Sequence, residues 1–355
     1  MSARSFVARA PGRVNLIGDH TDYNAGLALP MTIDRAVRVC WRPDRASTSL
    51  RLRSSPDHEP ALVDPGIPAE AVRDIQPSWA RYPVAVASLL GVAAGGTLEI
   101  SSTVPEGAGL SSSAALCVAS ALALGAWSGR PENRGARGLD PLDGALLCQR
   151  AESLAGSPVG LMDPLVSLLG RRNHAVFIDF SAPTWSHVAL PPGLEVLVVD
   201  SGERRSLRDS PYGARRRECE EAAAALGPLG RLELRDVARL GSPTPRRRAR
   251  HVVTECRRVR DVVAALRDGD LAAVGAAMNE SHESMAVDFE ASTPGIDDLA
   301  ASIRRLPGVY GARITGGGFG GCVVVACRQG AGLAARWPGR AWIVTATDGA
   351  SVDAA

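Results

Sequence analysis

The stretch Pro105-Glu106-Gly107-Ala108-Gly109-Leu110-Ser111-Ser112-Ser113-Ala114-Ala115 sets glycines and serines directly ahead of an apolar, alanine-rich run. Glycines let a backbone approach a ligand closely, and the serines lead into a helix whose first amides lack intrahelical partners. Together with the positive end of the helix dipole, those N–H groups form an anion site that needs no cationic side chain. A serine hydroxyl at the helix start can also reach a magnesium ion. A Gly/Ser turn closed by an ordinary N-cap accounts for the same letters. Three serines followed by two alanines favour the ligand site, because close packing on a ligand needs small residues.

A second polar concentration lies in Gly12-Arg13-Val14-Asn15-Leu16-Ile17-Gly18-Asp19-His20-Thr21-Asp22-Tyr23-Asn24. Carboxylates and an imidazole beside a tight turn suit recognition of several hydroxyls of one sugar. For Asn24 an Asx turn is the simpler reading. No second histidine or cysteine stands at ligand spacing from His20, so hydrogen bonding is favoured over metal binding. Gly160-Leu161-Met162-Asp163-Pro164 places a carboxylate just before a helical pattern. There it can cap the helix or accept a hydroxyl proton, and spacing alone leaves both open. Thr315-Gly316-Gly317-Gly318-Phe319-Gly320-Gly321 is a third glycine cluster, by itself only a flexible turn.

Composition prunes the chemistry. All 40 basic residues are arginines, which excludes a Walker A phosphate loop, the strand lysine of protein kinases and a lysine Schiff base. A net charge of +2 makes neither nucleic acid nor an anionic membrane the default partner. The arginine runs Arg246-Arg247-Arg248-Ala249-Arg250 and Arg257-Arg258 are therefore expected to form a solvated helix face. Seven scattered cysteines, none in a Cys-x-x-Cys pair, read as buried thiols in a reducing compartment, with no support for a zinc site. No apolar signal follows Met1, and the apolar run Ala114 to Trp127 is too short to span a bilayer. The expectation is a cytoplasmic protein with a buried central helix.

With 355 residues, two domains are expected, divided near 175 into 1–175 and 176–355. Periodicity gives an α+β pattern. Strands are expected at 6–10, 36–42, 49–53, 97–102, 175–179, 195–200 and 322–327, with a second short apolar segment at 13–18. Helices are expected at 78–91, from about 112, and at 142–154, 164–169, 211–226 and 245–261, with a surface loop at 128–143.

These stretches, taken together, resemble the GHMP kinase superfamily, and the one from Gly12 to Asn24 is similar to the galactokinase signature in particular. Further galactokinase-like pieces follow in order: Trp79-x-x-Tyr82, Tyr212 ahead of Arg215-Arg216-Arg217-Glu218-Cys219-Glu220, Ser281-His282, and Pro307-Gly308-Val309-Tyr310-Gly311. The resemblance covers roughly residues 6 to 330.

It implies a two-domain GHMP kinase fold of the α+β class, with the active site in the interdomain cleft. The N-terminal domain would be like domain 2 of ribosomal protein S5, and the C-terminal domain related to ferredoxin-like folds. It also implies an ATP-dependent sugar kinase, with galactose 1-phosphate as the leading product. By the same resemblance Asp163 would be the catalytic base and Arg13 the charge stabiliser. Gly107, Gly109, Leu110, Ser111, Ser112 and Ser113 would cradle the phosphates of ATP, Trp79 would lie near the adenine, and Ser113 with Glu152 would hold Mg2+. Asp19, His20, Asp22, Gly160 and Tyr212 would contact the sugar. Galactokinases usually carry glutamate at the position of Asp19 and glutamine at that of Pro164. Another hexose, arabinose, a uronic acid or a cyclitol is the alternative acceptor, and a sugar sensor the non-catalytic one.

Overall fold

The structure, a computed structural model, describes residues 5–44, 46–54, 58–128, 139–157, 159–204 and 211–354. The first layer is a six-stranded sheet in the order β13-β1-β3-β6-β4-β5. Its members are β1 (Phe6–Asn15), β3 (Pro30–Pro43), β4 (Leu50–Arg53), β5 (Ala61–Val63), β6 (Gly96–Ser102) and β13 (Ser351–Ala354). All its pairings are antiparallel except β4 with β6. β2 (Leu27–Ala28), β7 (His174–Asp179) and β8 (Thr184–Ala189) form a small three-stranded sheet. β9 (Leu194–Asp200), β10 (Val309–Thr315), β11 (Cys322–Arg328) and β12 (Ala341–Val344) form a four-stranded one in the order β10-β11-β9-β12.

The helices α1 (Arg81–Leu90), α2 (Ser112–Ser128), α3 (Pro141–Leu154) and α4 (Met162–Leu169) gather on the first sheet. α2 lies among α1, α3, α4, β1 and β3. Its residues from Ala114 to Leu124 are all buried, so it is apolar all round because it is enclosed all round. The five alanines at these positions let its neighbours approach. No described helix is long and apolar enough to cross a membrane. In the second half of the chain, α5 (Tyr212–Leu226) and α6 (Leu234–Val237) pack on α7 (Pro243–Asp268), which reaches β2 and β8 of the small sheet, while α8 (Leu271–Val287), α9 (Pro294–Arg304) and α10 (Leu333–Arg336) accompany the four-stranded sheet. α8 and α9 pack on β10.

Several expected elements change shape. The apolar segment at 6–10 and the first half of the one at 13–18 form one strand, β1, which ends at Asn15 and whose register shifts between Pro11 and Arg13. This bulge re-aims Arg13, and Gly12 makes it possible: a Cβ there would stand 2.7 Å from the Leu110 carbonyl oxygen. The helix expected at 245–261 runs from Pro243 to Asp268, and the loop expected at 128–143 lies largely outside the described residues. α8 was hidden because its buried face carries polar or minimal side chains: Gly275, Ser281, His282 and Ser284 alternate with Val274, Met278 and Met285. A Cβ on Gly275 would lie 2.1 Å from the Tyr310 carbonyl oxygen, so α8 and β10 meet backbone to backbone.

The arginine runs are not a wholly solvated face. Arg248 is 1% exposed and donates to Glu218 (2.6 Å), Glu290 (2.5 Å) and the Asp288 carbonyl (2.6 Å). Helical spacing turns this one arginine inward toward α5 and the segment after α8, while Arg250 stays at the surface with Asp288. Arg258 is likewise buried. Arg248→Met is expected to cost about 3 kcal/mol, because removing one partner strands the others. A loss of unfolding free energy, from urea titration, of under a third of that would show that water already satisfies Glu218 and Glu290.

Candidate active site

Arg13 leaves β1 just past the bulge and Asp163 stands on the first turn of α4. The guanidinium grips the carboxylate with both arms: Nε donates to Oδ1 and Nη2 to Oδ2, each at 2.7 Å. The remaining Nη1 donates to the Gly109 carbonyl at 2.6 Å, while the Arg13 backbone N–H donates to the Leu110 carbonyl at 3.2 Å. Ser111 donates its hydroxyl to Asp163 Oδ2. Asp163 is thus not the helix cap. Leu161 holds that place, and Pro164 sits within the first turn, where a missing N–H removes no helical bond.

The loop before α2 is bent by left-handed residues at Gly107 (φ 69°), Gly109 (φ 75°) and Ser111 (φ 62°). With the Ser111 hydroxyl committed to Asp163, the open amides of the first turn of α2 face a cavity of about 540 Å³. Gly107, Gly109, Leu110 and Ser111 to Ser113 line it, as do Trp79, Tyr82 and His58. Trp79 is partly buried, with His58 edge-on to it at 6.2 Å between ring centroids. The same strip therefore offers anion-binding amides at one end and aromatic surface at the other.

A second cavity, about 460 Å³, adjoins it and is lined by Asp19, His20, Asp22, Gly160, Tyr212, Gly316 and Gly317 among others. Arg13 and Asp163 border both cavities. His20 takes a left-handed backbone (φ 61°), stacks on Phe289 at 4.3 Å and shares a 2.8 Å hydrogen bond between its Nδ1 and the Tyr23 hydroxyl. Asn24 is structural, donating to the His20 carbonyl at 2.7 Å. Gly160 packs directly on Asp22. Burial, reinforced by the Asp163 charge, pushes the Asp22 carboxyl up to about 6.

Asp19 is less free than its place in the motif indicates. It is 2% exposed, and both its oxygens are engaged, Oδ1 by Asn15 Nδ2 (2.9 Å) and Oδ2 by Arg313 Nη2 (2.5 Å). Glu152 accepts from the Ser113 hydroxyl at 2.7 Å through Oε1, while its buried Oε2 has no hydrogen-bond partner among the described residues. Burial pushes this carboxyl up to about 8.

The expected site residues thus line two adjoining cavities, except Glu152, which is buried and reaches the first only through Ser113. Residues 1–43 match the galactokinase galactose-binding signature, 81–171 the GHMP kinases N terminal domain and 262–338 the GHMP kinases C terminal domain. Human galactokinase is 44% identical over 328 residues, which cover 89% of this chain and 82% of that one. The galactokinase of Roseiflexus is 42% identical over 335 residues, 90% of this chain and 82% of that one. The chain belongs to the galactokinase family of GHMP kinases.

Membership makes it an ATP-dependent phosphotransferase that acts on a sugar hydroxyl. A solved galactokinase of Lactococcus lactis, in complex with galactose, superposes with a TM-score of 0.87 at 25% identity, covering 98% of this chain and 95% of that one. Methanococcus jannaschii mevalonate kinase shares the fold, with a TM-score of 0.68 at 16% identity over 96% of this chain and 98% of that one. The two-domain GHMP fold expected from the motifs is the fold of this family member.

The motifs did not reveal Arg313 and Glu255, which are fully buried behind the second cavity. The signal was present but quiet. Arg313 interrupts the otherwise uncharged strand Val309–Thr315, and Glu255 falls on the same helical stripe as Val252 and Val259. A charge on an apolar stripe demands a partner.

Proposed function

We propose that this enzyme transfers the γ-phosphoryl group of ATP to the C1 hydroxyl of galactose, giving α-D-galactose 1-phosphate. The observation that carries this is the Arg13–Asp163 pair at the junction of an amide- and aromatic-lined cavity with a hydroxyl-recognising one. Phosphoryl transfer asks a protein mainly to position and to stabilise charge. Asp163 takes the proton of the attacking hydroxyl. Arg13 holds that carboxylate in place and offsets negative charge as the sugar oxygen bonds to phosphorus and ADP departs. The backbone amides around Gly107 to Ser113 take the phosphates, and Trp79 covers the adenine. His20, Asp22, Gly160 and Tyr212 form the sugar-facing wall, with Asp19 behind them.

Mg2+ fits Ser113 and Glu152. Both are oxygen donors, and the unpartnered Glu152 Oε2 is the orphaned atom that a cation bound with ATP would satisfy. When bound, the ion neutralises phosphate charge. No larger cluster of His, Cys, Asp and Glu able to hold a metal occurs among the described residues. The same proposal places the enzyme in the cytoplasm, where its seven cysteines remain buried thiols. It also divides the chain near residue 175, with β13 returning to the first sheet beside β1.

The test is turnover with magnesium-ATP of galactose, arabinose, galacturonate and a cyclitol, with products assigned by NMR. Galactose 1-phosphate as the main product is expected, and phosphorylation confined to another acceptor would overturn galactose. ATP and sugar binding without any turnover would instead mark a sensor. Because burial and the Asp163 charge push the Asp22 carboxyl up to about 6, its carboxylate is expected to be lost as an acceptor below that pH. The sugar KM is expected to rise as pH falls from 7 to 5, and Asp22→Asn to flatten that rise. An unchanged pH profile in the variant would assign the acid limb elsewhere.

A further inference from the structure

Four buried charges lie behind the sugar-facing wall: Asp19, Glu255, Arg258 and Arg313, each at most 5% exposed. They sum to zero and are knit together. Arg313 donates to Asp19 at 2.5 Å and to the carbonyls of Asn15 (3.3 Å) and Leu16 (3.4 Å). Glu255 accepts from the Gly18 backbone N–H (2.9 Å), from Ser281 (2.7 Å) and from Arg258 (2.8 Å), and lies 3.8 Å from Arg313. Burial alone would raise Glu255, but Arg258 and Arg313 outweigh it and bring it down to about 2, whereas at Asp19 burial outweighs Arg313 and Asn15 and raises the carboxyl.

Stability is a poor reason for such a cluster, since apolar residues of similar volume often hold a fold at least as well. What it does have is direction. Arg313 on β10 and Glu255 on α7 both reach across to one turn of the first layer, Asn15 to Asp19. That turn leads straight into His20 and Asp22. It has no slack of its own, because Gly18 (φ 100°) lies so close to β2 that a Cβ would stand 2.6 Å from the Leu27 carbonyl oxygen. From these contacts we infer that Arg313, backed by Glu255, is a positioning residue for the sugar. It anchors the Asn15–Asp19 turn from the second half of the chain and draws the Asp19 carboxylate into the wall, so that His20 and Asp22 stand in register with the acceptor.

This rests on the second cavity being the sugar site, not on which sugar fills it. Arg313→Lys keeps the charge but lacks the fork that holds Asp19 and two carbonyls together. It is expected to raise the sugar KM by about tenfold, the ordinary loss of a buried charged hydrogen bond, and to leave the ATP KM within about twofold. In an Asp19→Asn background the same change is expected to add little, because Arg313 acts through Asp19. Equal effects in both backgrounds, or parallel rises of both KM values, would overturn the inference. Should Arg313→Lys fold poorly, Ser281→Ala removes one donor from Glu255 and keeps every charge. A sugar KM that does not move in that variant would overturn the inference equally. Wild-type turnover across the sugar panel separates the two ideas, for the KM split is read on whichever sugar is phosphorylated.

Discussion

Asp163→Asn is expected to lower phosphoryl transfer by about 10³-fold, within the usual range for loss of a general base, while ATP still binds. Asparagine fills the same volume and can accept from one arm of Arg13. However, its amide nitrogen meets the other arm donor to donor, and it cannot take the hydroxyl proton. The amides proposed to bind phosphate are set by Gly107, Gly109 and Ser111 and by the Arg13 contacts to Gly109 and Leu110, which the substitution leaves in place. Nucleotide affinity from calorimetry should therefore stay within about threefold of wild type, less than 1 kcal/mol. An undiminished kcat in a folded, ATP-binding variant would remove Asp163 from the reaction and leave Arg13 and Ser111 as a purely structural clasp.

The second large effect is expected from Gly160→Ala, a single methyl group. A Cβ built on Gly160 falls 1.5 Å from Asp22 Oδ2 and 2.4 Å from its Cγ. Asp22 is short and only half-buried, but with Gly160 directly against it the carboxylate must leave its place on the cavity wall. The sugar KM should rise roughly 10- to 100-fold, the loss of one or two hydrogen bonds to a charged group. The ATP KM should hold, because Gly160 borders only the second cavity. The acid limb assigned to Asp22 should move as well. A variant with normal sugar KM would mean that Asp22 is not an acceptor for the substrate.

How much of this site could be found without coordinates differs residue by residue. Ser111 and Gly109 were legible because small residues before an apolar helix are unusual enough to imply a ligand. Asp163 was only half legible. Its spacing allowed a cap or a base, and contact with Arg13, 150 residues away in the chain, was needed to reject the cap. Asp19 reads as a hydroxyl contact because it stands among His20, Asp22 and Asn24, and it does border the second cavity. Its partner Arg313 lies 294 residues away, and nothing local announces it. The arginine run around Arg248 misled for the same reason: the number of charges was plain, but which one turns inward depends on where Glu218 and Glu290 lie.

The sequence by itself therefore determined the α+β class, the buried helix behind the glycine–serine loop, the absence of any lysine-based phosphate site and the kinase family. These depend on residue types at short spacing, where backbone geometry alone dictates what neighbours can do. Tertiary structure alone decided that Arg13 clasps Asp163 at the meeting of two cavities, that Asp19 is spent on Arg313, and that β13 closes the first sheet beside β1. Each of these joins groups far apart in the chain. Burying a charge or pairing a strand edge requires a complement, and chain spacing does not say which distant residue supplies it.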